Sequence, residues 1–273
     1  MRRTFSTAPH VFYQVYTIHA TVEGYHIPLV YALLPDKREE TYQKLFSLLP
    51  QTSKRVTIDF EVAVRNALTK SSEDNQIQFC FFHLGQSLWR HVQSQGKASD
   101  YTNNLEFREH IRMLLCTAFL PIEDVALGFE QLQKSCPEDC EPIFNYFEDN
   151  YIGRFMANGK RQKPRFAIEQ WNCHDRTKNN LPRTNNAVEG WNSNFVKLVN
   201  AKHPSISKVI EKFKDEQKNA EIMVENITAG QQIKRAKKAH YAKMDSILYE
   251  LVHSYKREKI IDFLRGCSYN VKL

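Results

Sequence analysis

Residues 55–70 read "RVTIDFEVAVRNALTK", and the apolar phase changes in the middle of them. Val56 and Ile58 alternate as in a strand, whereas Val62, Ala63, Asn66 and Ala67 fall on one side of a 3.6-residue period. Asp59 therefore stands at a strand-to-helix junction, the edge at which open α/β sheets bind ligands and metals. Asp is also a preferred helix N-cap, which is the plainer reading of that residue taken alone.

Working outward, "HVFYQVYTIHATVEG" and "YHIPLVYALLP" are rich in aromatic and β-branched residues and meet at Glu23-Gly24, which predicts a β-hairpin. Pro28 is expected at a strand start or edge, because proline cannot donate to a ladder. "REETYQKLFSLLP" sets Tyr42, Leu45, Phe46 and Leu49 at helical spacing, opens with acids and stops at Pro50. "QIQFCFFHL" is a nearly continuous apolar run, as expected of a buried strand, and leads into a helix "GQSLWRHVQSQ". Hairpin, helix, strand, helix, strand, helix describes an α/β protein, a mixed sheet covered by helices.

From Leu105 the strand patterns stop. "FREHIRMLLCTAFLP", "IEDVALGFEQLQKSC" and "EPIFNYFEDNYIGRF" carry apolar residues at three- and four-residue steps, and a basic, Asn-rich stretch follows to residue 184. Two helices are expected to finish the chain. In the first, Ile206, Ile210, Phe213, Gln217, Ala220, Val224 and Ile227 form a stripe; in the second, Ile247, Leu248, Leu251 and Tyr255 do.

A chain of 273 residues, 42% hydrophobic and 25% charged, has the composition of a folded globular protein. No run of eighteen apolar residues is present, so no membrane partner is expected. "MRRTFSTAPH" lacks the apolar stretch of a secretory signal, and six cysteines without an export signal predict reduced thiols inside a cell. Residues 201–273 hold fifteen Lys or Arg against nine Asp or Glu, +6 of the chain's +7, a distribution that points to nucleic acid. Lys234, Arg235, Lys237, Lys238 and Lys243 are the candidate phosphate contacts, with Arg183 further upstream. "KRAKK" also reads as a nuclear localisation patch or as a solvated helix face.

Cys80 and His83 have a spacing that suits a metal, but a zinc site needs two more ligands. Cys136, Cys140 and the Cys173-His174 pair lack paired spacing, so zinc is not expected within this chain. "RTNNAVEGWNSNFVK" places Glu189 in the first turn of a helix after Asn185-Asn186. That acid suits a capping box or a carboxylate brought over the sheet edge toward Asp59, and spacing alone leaves both open.

With Asp59, Cys80-x-x-His83 and "NNAVEGW" in this order, the chain resembles the transposase domain of Mutator-like elements, the MULE family. The resemblance runs from "TFSTAPHVFYQVYTIH" through "TIDFE", "CFFHLGQSLWR", "LCTAFLPIEDV", "YFEDNYIGRF", "FAIEQWN" and "RTNNAVEGWN" to "KHPSI". It implies a ribonuclease-H-like fold with a helical insertion, and a DDE site that cuts and joins DNA with two Mg²⁺ or Mn²⁺ ions. Asp59 matches the family's second aspartate and Glu189 its glutamate; both would be catalytic metal ligands. Cys80 and His83 match a hallmark expected to shape the site, and Trp191 belongs to the same structural motif. The implied organisation is a core at 1–104 lacking most of its first strand, a helical insertion at 105–180, a last core helix region at 181–200, and a basic helical tail at 201–273. Double-stranded DNA is the implied partner, with self-association and a nuclear location.

The resemblance breaks at the first acid. Relatives read Asp-Gly-Thr-Phe where this chain reads Arg2-Arg3-Thr4-Phe5, so Arg2 takes the position of the bridging aspartate. A fixed positive charge there removes a ligand and repels the metals. The expectation is a truncated, catalytically inactive domain, or one kept as a non-enzymatic DNA-binding module.

Overall fold

The computed structural model describes residues 7–50, 55–231 and 239–273. It is a mixed helix-and-strand protein that divides into two compact units, each drawn from three separated segments. The first unit holds residues 1–53, 61–75 and 185–236; the second holds 54–60, 76–184 and 237–273. The 105–180 segment lies within the second unit, whereas the 201–273 segment is shared between the two.

In the first unit, β1 (Gln14–Val22) and β2 (Tyr25–Leu34) form the predicted antiparallel hairpin. Its two-residue turn, Glu23-Gly24, has φ of 50° and 78°, the left-handed pair that suits the twist of a hairpin. Pro28 sits within β2 rather than at its start, on a strand that pairs on one side only among the described residues. The register shifts there, with Ile18 opposite Val30 and His19 opposite Pro28, and this bulge accommodates a residue with no N–H to give.

Helix α1 (Glu39–Ser47) buries Tyr42 and Phe46 and packs on α2 (Val62–Ser71). The Tyr42 hydroxyl accepts from Gln14 Nε2 at 2.8 Å and donates to Glu61 Oε1 at 2.8 Å. Helices α10 (Asn186–Val199) and α11 (Ile206–Thr228) complete this unit, with α11 against β2. The covered stripe of α11 is Val209, Phe213, Glu216 and Ala220, which keeps Phe213 and Ala220 of the predicted one and departs from it at the other two positions. Ile206, Ile210 and Val224 are exposed.

The second unit contains β3 (Arg55–Ile58) and β4 (Gln76–Phe79), paired in parallel with Ile58 opposite Phe79. Among the described residues the four strands make two separate pairs, not the single mixed sheet expected from the element order. The strand that the resemblance would place between them falls on Arg2–Ser6, outside the described residues. β4 also ends sooner than the apolar run implies. Cys80 is the N-cap of α3 (Phe81–Ser94), so Phe81, Phe82 and His83 are helical.

A two-stranded pair needs cover to be stable. It comes from aromatic residues: Phe60 stacks on Phe79 at 4.4 Å, and Phe166 and Tyr151 meet Phe60 edge-on at 4.9 and 5.8 Å. Trp171, fully buried, closes the cluster and donates its indole N–H to the Tyr151 carbonyl at 3.3 Å. Around it run α4 (Ala98–Asn103), α5 (Leu105–Cys116), α6 (Val125–Lys134), α7 (Glu141–Phe147), α8 (Ile168–Trp171) and α9 (His174–Lys178). α7 continues as a π-helical turn over Glu148–Ile152.

Helix α12 (Ala239–His253) is followed by α13 (Ile260–Ser268), a third C-terminal helix beyond the two predicted. Buried Asp124 anchors the link between them, accepting from the Tyr255 hydroxyl at 2.8 Å and pairing with Arg257 at 2.8 Å. All six cysteines are free thiols.

Candidate functional site

Asp59 lies just beyond β3, at the carboxyl edge of the parallel pair. The ladder continues past Ile58 through a bond from Cys80 N to Ile58 O at 2.9 Å, which sets Asp59 beside the start of α3. Asp59 is not the cap of the following helix: Glu61 takes that position and turns its carboxylate to Tyr42. Phe60, locked among Phe79, Tyr151 and Phe166, fixes the turn that aims Asp59.

His83 lies against Asp59. Its Nδ1 is 3.1 Å from Asp59 Oδ1, with the histidine side chain 10% and the carboxylate 25% exposed. The Cys-x-x-His spacing explains how. Cys80 is completely buried as the N-cap, and three residues on, in the first turn of α3, His83 reaches the strand edge. Cys80 is thus a core residue and His83 a clamp on the acid.

The edge is braced from behind by Arg176, which is 3% exposed. Its Nη2 donates to Phe79 O at 3.1 Å, Asn172 O at 3.0 Å and Cys173 Sγ at 3.1 Å. Phe81 N bonds Arg183 O at 2.9 Å, holding the start of α3 to the segment before residue 184. The Cys173 thiol is pushed up by burial, so it stays protonated and behaves as a core group.

Glu189 belongs to the other unit, in the first turn of α10. It is no capping-box acid. Asn185 is the N-cap and makes no side-chain cap bond, and Glu189 lies one position beyond the place a capping box requires. Trp191, two residues on, is half-buried and packs against the core of that unit. It stacks on Phe195 at 4.9 Å and donates to Glu216 Oε2 at 2.6 Å. His19 meets the Trp191 ring edge-on at 5.2 Å, and burial, with a smaller push from His26, lowers its pKa to about 4.

Among the described residues no group of three or more His, Cys, Asp or Glu side chains could hold a metal ion. Of the described residues at the β3 edge, the donors are one carboxylate and one imidazole, 3.1 Å apart, whereas two Mg²⁺ ions are held by several carboxylates and phosphate oxygens. Arg2 lies outside the described residues.

Of the candidate phosphate contacts, Lys243 is exposed on α12. Lys234, Arg235, Lys237 and Lys238 lie outside the described residues. Arg183 is taken up internally: its Nη2 donates to Asp245, its guanidinium lies 5.8 Å from the Phe119 ring centre, and its side chain is 16% exposed. It holds α12 in place instead of presenting a free fork.

By sequence, residues 157–184 read only as a loose basic stretch. Its first part closes a small hairpin whose turn is Asn158-Gly159, a dipeptide with a strong turn signal. No described helix is long and apolar enough to cross a membrane. Compared with protein-family models, with curated proteins and with solved structures, the chain matches none of them.

Proposed function

We propose that the protein is a DDE-type, MULE-like transposase domain that holds double-stranded DNA without cutting it. The observation that carries this reading is the pairing of Asp59 with His83 at 3.1 Å. The one aspartate that the resemblance assigns to the described residues lies 3.1 Å from His83 Nδ1, and no group of three such donors is found among the described residues. Two-metal chemistry requires several carboxylates brought together against their own repulsion, which only the ions relieve. Here the acid lies against a histidine of its own unit.

Support for a DNA partner is electrostatic. The net charge of +7, concentrated beyond residue 200, favours a polyanion, and Lys243 on α12 is exposed to meet one. Binding of this kind releases counterions, so affinity falls steeply as salt rises. Neutralising four phosphates gives a log–log slope of about −3.6.

Fluorescence anisotropy with a labelled duplex across a salt series tests the reading. A negative slope of at least about 3, insensitive to duplex sequence, is the expected result. Absence of binding at low salt would remove the DNA partner.

A further inference from the structure

Residues 153–166, "GRFMANGKRQKPRF", form a short, exposed hairpin in the second unit. Phe155 bridges Arg161 across it. Met156 N bonds Lys160 O at 2.8 Å, Gly159 N bonds Met156 O at 2.9 Å, and Gln162 N bonds Arg154 O at 2.7 Å. The hairpin starts at Gly153 with φ +89°, where an added Cβ would lie 1.8 Å from Gln162 O. Only glycine permits that closure.

Two features of this hairpin are unusual for a loop. Its outward side chains include Phe155, 57% exposed, and Met156, 44% exposed, in a segment with five Lys or Arg and no Asp or Glu. Its apolar tip is also preorganised. The Arg161 guanidinium carbon lies 4.1 Å from the Phe155 ring centre, covering one face of the ring. Arg161 is itself held by Glu148 at 2.9 Å, Glu130 at 2.8 Å and the Gly153 carbonyl. An aromatic ring backed by a fixed cation, with its other face open, costs little ordering when a flat group stacks on it.

Lys160 and Lys163 are exposed on the same hairpin; Arg154 is paired with Asp149, and Arg165 lies against Phe166. Exposed aromatic surface interleaved with cations is the chemistry of single-strand recognition, where bases stack and the backbone meets positive charge. A duplex offers its phosphates but keeps its bases stacked on one another.

We infer that the 153–166 hairpin is a stacking finger for an unpaired nucleobase of DNA, with Phe155 and Met156 taking the base and Lys160 and Lys163 the flanking phosphates. This rests on the reading of the chain as a DNA-binding protein and adds to it a second, structurally distinct mode. The basic C-terminal region meets duplex phosphates, and the finger meets bases where strands are open.

The test compares the full chain with a Phe155→Ala/Met156→Ala variant, using fluorescein-labelled oligothymidylate and a duplex of equal length. The variant is expected to lose about tenfold in affinity for the single strand and to keep duplex affinity within about twofold. A Phe155→Trp chain should bind the single strand as the parent does, and the indole emission it adds should be quenched at saturation. Unchanged single-strand affinity in the double variant, or an unquenched indole, overturns the finger while leaving duplex binding intact. Competition by polyglutamate equal to that by oligothymidylate also overturns it, since the surface would then read charge alone. Failure of the parent chain to bind either DNA overturns the DNA-binding reading and the finger with it.

Discussion

Arg161 is the residue on which the hairpin and its surroundings most depend, and replacing it with Met makes a quantitative test. The side chain is 16% exposed, and its partners Glu148 and Glu130 are 13% and 34% exposed. Met keeps most of the stem's volume and removes the charge and the donor fork. Two carboxylates are left without their counter-ion, the Gly153 carbonyl without its donor, and the Phe155 ring without its cation. Breaking a buried pair by removing one member costs about 3–5 kcal/mol, and the exposure of Glu130 places this site at the lower end, about 3 kcal/mol. For a unit of this size that lowers the melting midpoint by roughly 6–12 °C.

Differential scanning calorimetry and near-ultraviolet circular dichroism would read the shift. Arg161→Lys should recover less than half of it, because an ammonium cannot bridge two carboxylates and a carbonyl as a planar fork does. Arg161→Met with Glu148→Gln should regain at least about 1 kcal/mol, since the second change neutralises the more buried of the stranded acids. A drop below about 2 °C for Arg161→Met would refute the claim that this arginine anchors the hairpin.

Three further outcomes follow from the same geometry. Gly153→Ala should open the hairpin, because its Cβ cannot coexist with the Gln162 carbonyl, and single-strand affinity should fall as far as in Phe155→Ala/Met156→Ala. Protonation of His19, whose folded-state pKa is depressed to about 4 from the usual 6.5, opposes folding. Stability is therefore full above about pH 6.5 and lost as pH falls toward 4, by on the order of 2 kcal/mol after allowance for partial exposure; urea midpoints should show this, and a His19→Phe chain should lose that slope. Asp59→Asn should leave duplex affinity within about twofold, since the carboxylate faces His83; a large loss in anisotropy titrations would show that it serves the DNA site.

The sequence was legible where local periodicity decides the structure. Alternation up to Glu23-Gly24 defined the first hairpin, and the steps of Tyr42 and Phe46 defined α1. The end of β4 was not legible, because a continuous apolar run is the same for a buried strand and for the first turn of a buried helix. The α11 stripe was legible at Phe213 and Ala220 but not at Val209 and Glu216, the latter a charged residue retained on the covered face by the Trp191 N–H. Helix α13 carries Ile260, Phe263, Leu264 and Cys267 at helical spacing and could have been found.

The functional residues divide in the same way. That Asp59 closes a strand follows from the phase change alone. That His83 meets it, twenty-four positions later, depends on the parallel register of β3 and β4, which no local pattern encodes. Arg183 looked like a surface cation because its neighbours are polar, but its partners, Asp245 and Phe119, come from distant segments. The 153–166 hairpin has a turn signal but no β-branched flanks, so period-based reading passes over it.

The most direct trial of the account is to incubate supercoiled plasmid with the full chain in Mn²⁺ buffer, run one half on a native gel and deproteinise the other. The plasmid should be retarded at low salt, released as salt rises, and recovered still supercoiled. A plasmid that is never retarded, or an open-circular product that disappears in the Asp59→Asn chain, would contradict a domain that grips DNA and leaves it whole.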